Sequence, residues 1–103
     1  MSVRLVWTLD VDPERLDEAR SLVAERREQV KRHSCSDLTV HLVSDGDYAG
    51  TRAIAIEEFN TRADLDSFLV TQPRDEAAQT TITRTFAPIG PFTVVNVLTV
   101  EEL

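Results

Sequence analysis

Cysteine, glycine and histidine are all scarce in this chain of 103 residues, and each shortage closes off a class of chemistry. The single cysteine, Cys35, rules out a disulfide within the chain. With only two histidines, His33 and His41, it cannot complete a four-ligand zinc site. His41, Asp45 and Asp47 lie close in sequence, but the two aspartates flank Gly46 and read as turn residues. No metal is therefore expected. Three glycines are too few for a phosphate-cradling loop or a dinucleotide fingerprint, so no cofactor is expected either. Long apolar runs are also missing, which argues against a membrane partner. The opening MSVRLVWTLDVD reaches two aspartates by residue 12, unlike a secretory signal, and a cytoplasmic location is the expectation.

Positive charge is in short supply as well. Eleven basic residues face 18 acidic ones, for a formal charge of −7. The one basic cluster, Arg26, Arg27, Lys31 and Arg32, is interleaved with Glu25 and Glu28. Nucleic acid is not an expected partner, because that affinity rests on clustered, unopposed Lys and Arg. The remaining composition, 42% apolar and 28% charged, is that of an ordinary globular chain, read as a single domain over residues 1–103.

Within it the hydrophobic pattern changes period several times. Val3, Leu5, Trp7, Leu9 and Val11 alternate with Arg4, Thr8 and Asp10, which predicts a strand with one apolar face. Asp12-Pro13 then starts a helix, capped by Asp12, that runs to about Arg32. Its stripe is Leu16, Ala19, Val23 and Val30, with Leu22 beside them. Leu38 to Val43 and Thr51 to Phe59 read as strands of an antiparallel hairpin around the turn Ser44-Asp45-Gly46-Asp47. Thr61-x-x-Asp64 has the form of a capping box for a second helix, whose stripe is Leu65, Phe68 and Leu69 and which Gln72-Pro73 interrupts. Residues 74–86 are ambiguous. Ala78, Ile82 and Phe86 have helical spacing, but the threonines oppose a strong helix. After a loop at Pro88, Gly90 and Pro91, Phe92 to Val100 form a last strand, with Phe92, Val94, Leu98 and Val100 on the face of Asn96.

The order strand, helix, strand, strand, helix, strand predicts a ferredoxin-like α+β fold, a four-stranded antiparallel sheet with helices on one face. Several strands are apolar on both sides, notably at Val94, Val95, Val97 and Leu98. Helices cover only one side, so a homodimer pairing sheet against sheet is expected.

The stretch IAIEEFNTRADLDSFL, a strand ending in Glu58-Phe59 followed directly by a capped helix, resembles the dimeric α+β barrel superfamily. It is most similar to the antibiotic biosynthesis monooxygenase-like members and the related stress-responsive barrel proteins. Glu58-Phe59 stands where many relatives have Glu-Trp, and Ser34-Cys35 where they often have Gly-Cys or Gly-Phe. The chain departs from the pattern in two places. Heme-degrading members carry a histidine about where Phe68 stands, and the stress-responsive type often has Pro-x-His where this chain reads Pro73-Arg74-Asp75. Both histidines are absent, which disfavours heme degradation.

The resemblance implies a small-molecule pocket protein of secondary metabolism, carrying out cofactor-independent oxygenation or cyclisation of an aromatic, polyketide-like substrate. The rival is a non-catalytic homodimer that binds a ligand or serves as an accessory subunit. Four residues are candidates for the site. Trp7 is either core or a pocket wall with an indole N–H to offer a planar substrate. His41 is either a base or an ordinary strand histidine. Asn96 is either a donor to a developing oxyanion or an amide satisfied by backbone or dimer groups. Arg52 either holds an acidic ligand or forms an ion pair. Glu57 and Glu58 are successive on a strand and so point to opposite faces, which excludes a paired-carboxylate site. Cys35 has no activator beyond His33, so a reactive thiol is not expected.

Overall fold

The period-two stretch near the N-terminus forms β1 (Val3–Val11), an inner strand of an antiparallel sheet. The computed structural model describes residues 2–103. After β1 come α1 (Leu16–Val30), β2 (Asp37–Leu42), β3 (Arg52–Phe59), α2 (Arg62–Thr71), α3 (Glu76–Thr85) and β4 (Phe92–Glu101). The strand order β2-β3-β1-β4 with antiparallel pairing throughout is the ferredoxin-like arrangement. The helices supply the cover for one face, called here the inner face. Val3, Leu5, Leu9 and Val11 of β1 and Ala53, Ala55 and Phe59 of β3 are buried there with Leu65 and Phe68 of α2.

Local chemistry sets the helix ends. Asp12 Oδ1 accepts from the Glu14 N–H, but Pro13–Arg15 is a tight 3-10 turn and the α-helix proper begins at Leu16. A second such turn, Lys31–His33, ends it. Thr61 Oγ1 accepts from the Asp64 N–H and caps α2, and the turn at Gln72–Arg74 carries the chain past Pro73. The ambiguous segment is helical. Asp75 Oδ1 caps α3 by accepting from the Ala78 N–H at 3.2 Å. Its threonines do not break the helix because Thr80, Thr81, Thr83 and Thr85 each donate a hydroxyl to the carbonyl four residues back.

Two expectations are corrected. Leu69 is not in the buried stripe of α2; it is 54% exposed. On β4, Thr8 pairs with Asn96 while Leu9 pairs with Val94, so a bulge at Val95 reverses the side-chain alternation. Phe92 and Val94 therefore share the inner face with Val11 and Leu9. Asn96, Leu98 and Val100 share the outer face with Thr8, Val6 and Arg4. Period-two counting carried across the bulge places all five on one side, which the register corrects.

Candidate functional site

The inner face of β3 reads Ala53, Ala55, Glu57, Phe59, two small side chains followed by a charge and an aromatic ring. Ala55 lies between Val40 and Trp7 in one row across the sheet. Its small side chain leaves room beneath the helices. A cavity of about 240 Å³ fills this space, walled by Trp7, Leu38, Phe68, Ile82, Phe86 and Phe92 among others, with the exposed Leu69 also on its wall. A second cavity of about 190 Å³ continues under α1 towards Leu16 and Leu42, sharing Val23, Val40 and Phe92 with the first.

The loop from α3 into β4 fixes two of these aromatic walls. Gly90 N–H donates to the Phe86 carbonyl at 2.8 Å, and Ala87 N–H to the Phe92 carbonyl at 2.7 Å. A Cβ at Gly90 would stand 2.1 Å from the backbone carbon of Thr85, so no larger residue fits this close approach.

Four polar side chains interrupt the apolar wall: Glu57, Arg26, Gln72 and Thr85, whose hydroxyl is taken up by the Thr81 carbonyl. The Trp7 indole N–H reaches diagonally to Glu57 Oε1 at 2.8 Å. Burial holds the Glu57 carboxyl above its ordinary range, opposed by the Trp7 hydrogen bond and the positive charge of Arg26. Arg26 rises from α1, where burial draws its pKa down against the attraction of Glu57. It donates to Gln72 Oε1 at 2.5 Å and to Gln29 Oε1 at 3.4 Å. Behind it Gln29 donates to Thr81 Oγ1 at 2.7 Å, tying α1 to α3. Arg84 of α3 also meets Glu25 of α1 at 3.3 Å.

Of the sequence candidates, only Trp7 lines this cavity. His41 and Asn96 lie on the outer face, in the row His41–Ile54–Thr8–Asn96 across all four strands. Three strand spacings separate them by about 14 Å, too far to act on one atom. Both are exposed in the single chain, and the bulge before Asn96 sets it on that face. Arg52 donates to Asp10 Oδ1 at 3.1 Å and stacks 3.7 Å above the Tyr48 ring, held by protein groups. Cys35 is buried and its thiol is pushed up to about 12, chiefly by desolvation, so it is inert. Among the described residues no cluster of three or more His, Cys, Asp or Glu could hold a metal ion.

Sequence reasoning missed Glu57 and Arg26 as cavity groups, though both left a signal. Position 26 falls within the helical stripe between Val23 and Val30, and position 57 on the apolar alternation of β3. A charged residue inside an apolar period is the informative exception.

No protein-family model matches the chain, and no curated protein matches it. Solved structures do match. A candidate antibiotic biosynthesis monooxygenase from Nitrosomonas europaea superposes with a TM-score of 0.70 at 13% identity, over 99% of this chain and 90% of that one. One from Bordetella bronchiseptica gives 0.69 at 16% identity, over 99% and 97%. HapK from Hahella chejuensis gives 0.68 at 16% identity, over 100% and 93%. The chain thus has the fold of the antibiotic biosynthesis monooxygenase-like α+β barrel proteins.

Proposed function

We propose that this chain is a small-molecule pocket protein of secondary metabolism that takes an apolar, aromatic, polyketide-like compound into the cavity between helices and sheet. The observation that carries the reading is the cavity itself, apolar in most of its wall, with a few convergent polar groups beside the Trp7 indole. The reaction it suits is cofactor-independent oxygenation. An activated CH₂ group of the substrate, ionised to a carbanion, reacts with dioxygen; one oxygen atom stays as the new carbonyl and the other leaves as water. The substrate supplies the electrons, and the protein supplies orientation and a dry site. Cyclisation of a similar enolate would use the same cavity.

The outer face enters this reading as the contact between two copies of the chain. Leu98 and Val100 are exposed there beside the half-buried Val6, Ile54 and Ile56. His41, Asn96 and Arg52 belong to that face and would serve the dimer contact.

Trp7 is the only tryptophan, so its fluorescence reports directly on the cavity. Anthrone-type ligands should quench it, and turnover should consume one dioxygen per ketone formed and stop under nitrogen. Binding without oxygen consumption or ring closure would leave a ligand-binding protein. No quenching by any aromatic ligand would remove the pocket reading.

A further inference from the structure

Two ionisable groups line the cavity, near enough for their charges to act on each other but with no ion-pair contact between them. Arg26 is 9% exposed and Glu57 5%, a depth at which charged side chains are ordinarily paired. Among the described residues no ion pair joins them to each other or to any third group. A guanidinium carries five N–H donors, and the two contacts of Arg26 both go to neutral amide oxygens, those of Gln29 and Gln72. Glu57 receives a single N–H, from Trp7, on Oε1. No side-chain polar atom of the described residues is both sealed off and without a partner. Arg26 Nε and Glu57 Oε2, which have no partner among the described residues, are therefore not sealed off, and both residues line the cavity.

The geometry points to a catalytic pair in which Glu57 takes the proton of a weakly acidic hydroxyl, a phenol or enol on an apolar ring system, and Arg26 holds the oxyanion left behind. This rests on the proposed pocket function and adds to it the proton acceptor and the anion holder. The hydroxyl O–H bond breaks, its proton goes to Oε2, and the electron pair stays on the ligand oxygen. The charge count before and after is the same, one carboxylate exchanged for one oxyanion beside the same guanidinium. A ligand already anionic, such as a carboxylate, would suit Arg26 but would bring a second negative charge against Glu57. A weak acid avoids that repulsion, because Glu57 is neutralised in the step that creates the anion. The Trp7 N–H holds Oε1 and leaves Oε2 as the accepting atom.

The test compares 2-naphthol with 2-methoxynaphthalene, which has the same rings and no acidic proton. Affinity is read from Trp7 quenching, ionisation from the naphtholate absorption band, and proton release with an indicator dye. The wild-type chain should prefer 2-naphthol by about tenfold or more, as a charge-assisted hydrogen bond provides. The bound ligand should show the naphtholate band with no net proton released, since Glu57 keeps it. Arg26→Met should lose both the preference and the band while still binding 2-methoxynaphthalene, which shows the cavity intact. Glu57→Gln should release about one proton for each naphtholate bound. Equal affinity for the two compounds, a preference that survives Arg26→Met, or proton release by the wild type would overturn the pair and leave the pocket. Failure of both compounds to bind would remove the pocket and the pair together.

Discussion

The two faces of this sheet are built from the same four strands and differ in how their polar groups are placed. On the inner face, Glu57 is the one buried charge of the strands, set among alanines, leucines and aromatic rings, and among the described residues the only N–H it receives comes from Trp7. On the outer face polar groups are common and lie among exposed apolar side chains, as in the row His41–Ile54–Thr8–Asn96. Exposed polar groups satisfy themselves in water at little cost, whereas a buried one must be provided for by the fold. Glu57 is thus the group whose presence needs a reason, and His41 is not. Chemistry-bearing residue types identify a site only once their face is known.

The comparison breaks most visibly at the base of the inner face. Phe59 is fully buried and meets the Phe68 ring edge to face, with centroids 5.1 Å apart. Phe59→Ala should cost about 3–5 kcal/mol in urea unfolding, as large-to-small core substitutions do. A loss below about 1 kcal/mol would mean that the helices are not seated on the sheet as described.

Trp7→Phe probes the polar part of the same face with a smaller effect. The ring is kept, but Glu57 loses its one hydrogen bond. The expected cost is about 1–3 kcal/mol for a buried acceptor left unsatisfied. The consequence of burying Glu57 also has a sign. Below the ordinary carboxyl value of 4.5 the group is protonated in both folded and unfolded chains. As the pH rises from there towards the raised value in the fold, the unfolded chain ionises first and folding loses stability. Glu57→Gln removes that dependence, so the variant should gain on the wild type as the pH rises and the gap should close in acid. Parallel stability–pH curves for the two proteins would show that Glu57 titrates as an exposed residue.

Most of the architecture was legible because alternation and capping are local. β1 and the Thr61 cap follow from neighbouring residues alone, and the pairing of β2 with β3 follows from the turn signals between them. The bulge at Val95 was not, since nothing in the run VVNV marks which valine is the extra one; only the partner strand decides. α3 was hidden because propensity penalises threonine, while the hydroxyl bonds to carbonyls four residues back form once the helix exists. The cavity depended on something weaker still, the small volumes of Ala53 and Ala55. Alanines read as ordinary strand fillers until helices are laid across them. Arg26 reads as one of a basic cluster, and the stripe spacing that sets it apart from Arg27 is the available clue.

The smallest effect on the single chain is expected on the outer face, and it sharpens the comparison in the opposite direction. Leu98 is 57% exposed and contributes little to the core. Leu98→Glu should leave the far-UV circular dichroism unchanged and the ligand-dependent quenching of Trp7 intact, with an intrinsic stability change within about 0.5 kcal/mol. If two copies meet through this face, a buried, unpaired carboxylate at its centre is strongly unfavourable, and light scattering should show the mass falling from two chains to one. A mass of one chain for the wild type would instead mean that the exposed valines and leucine of β4 are tolerated in water. A variant that unfolds would mean that this face is packed against the protein itself. Only the first outcome keeps the division of labour intact, with the inner face holding the ligand and the outer face holding a second copy.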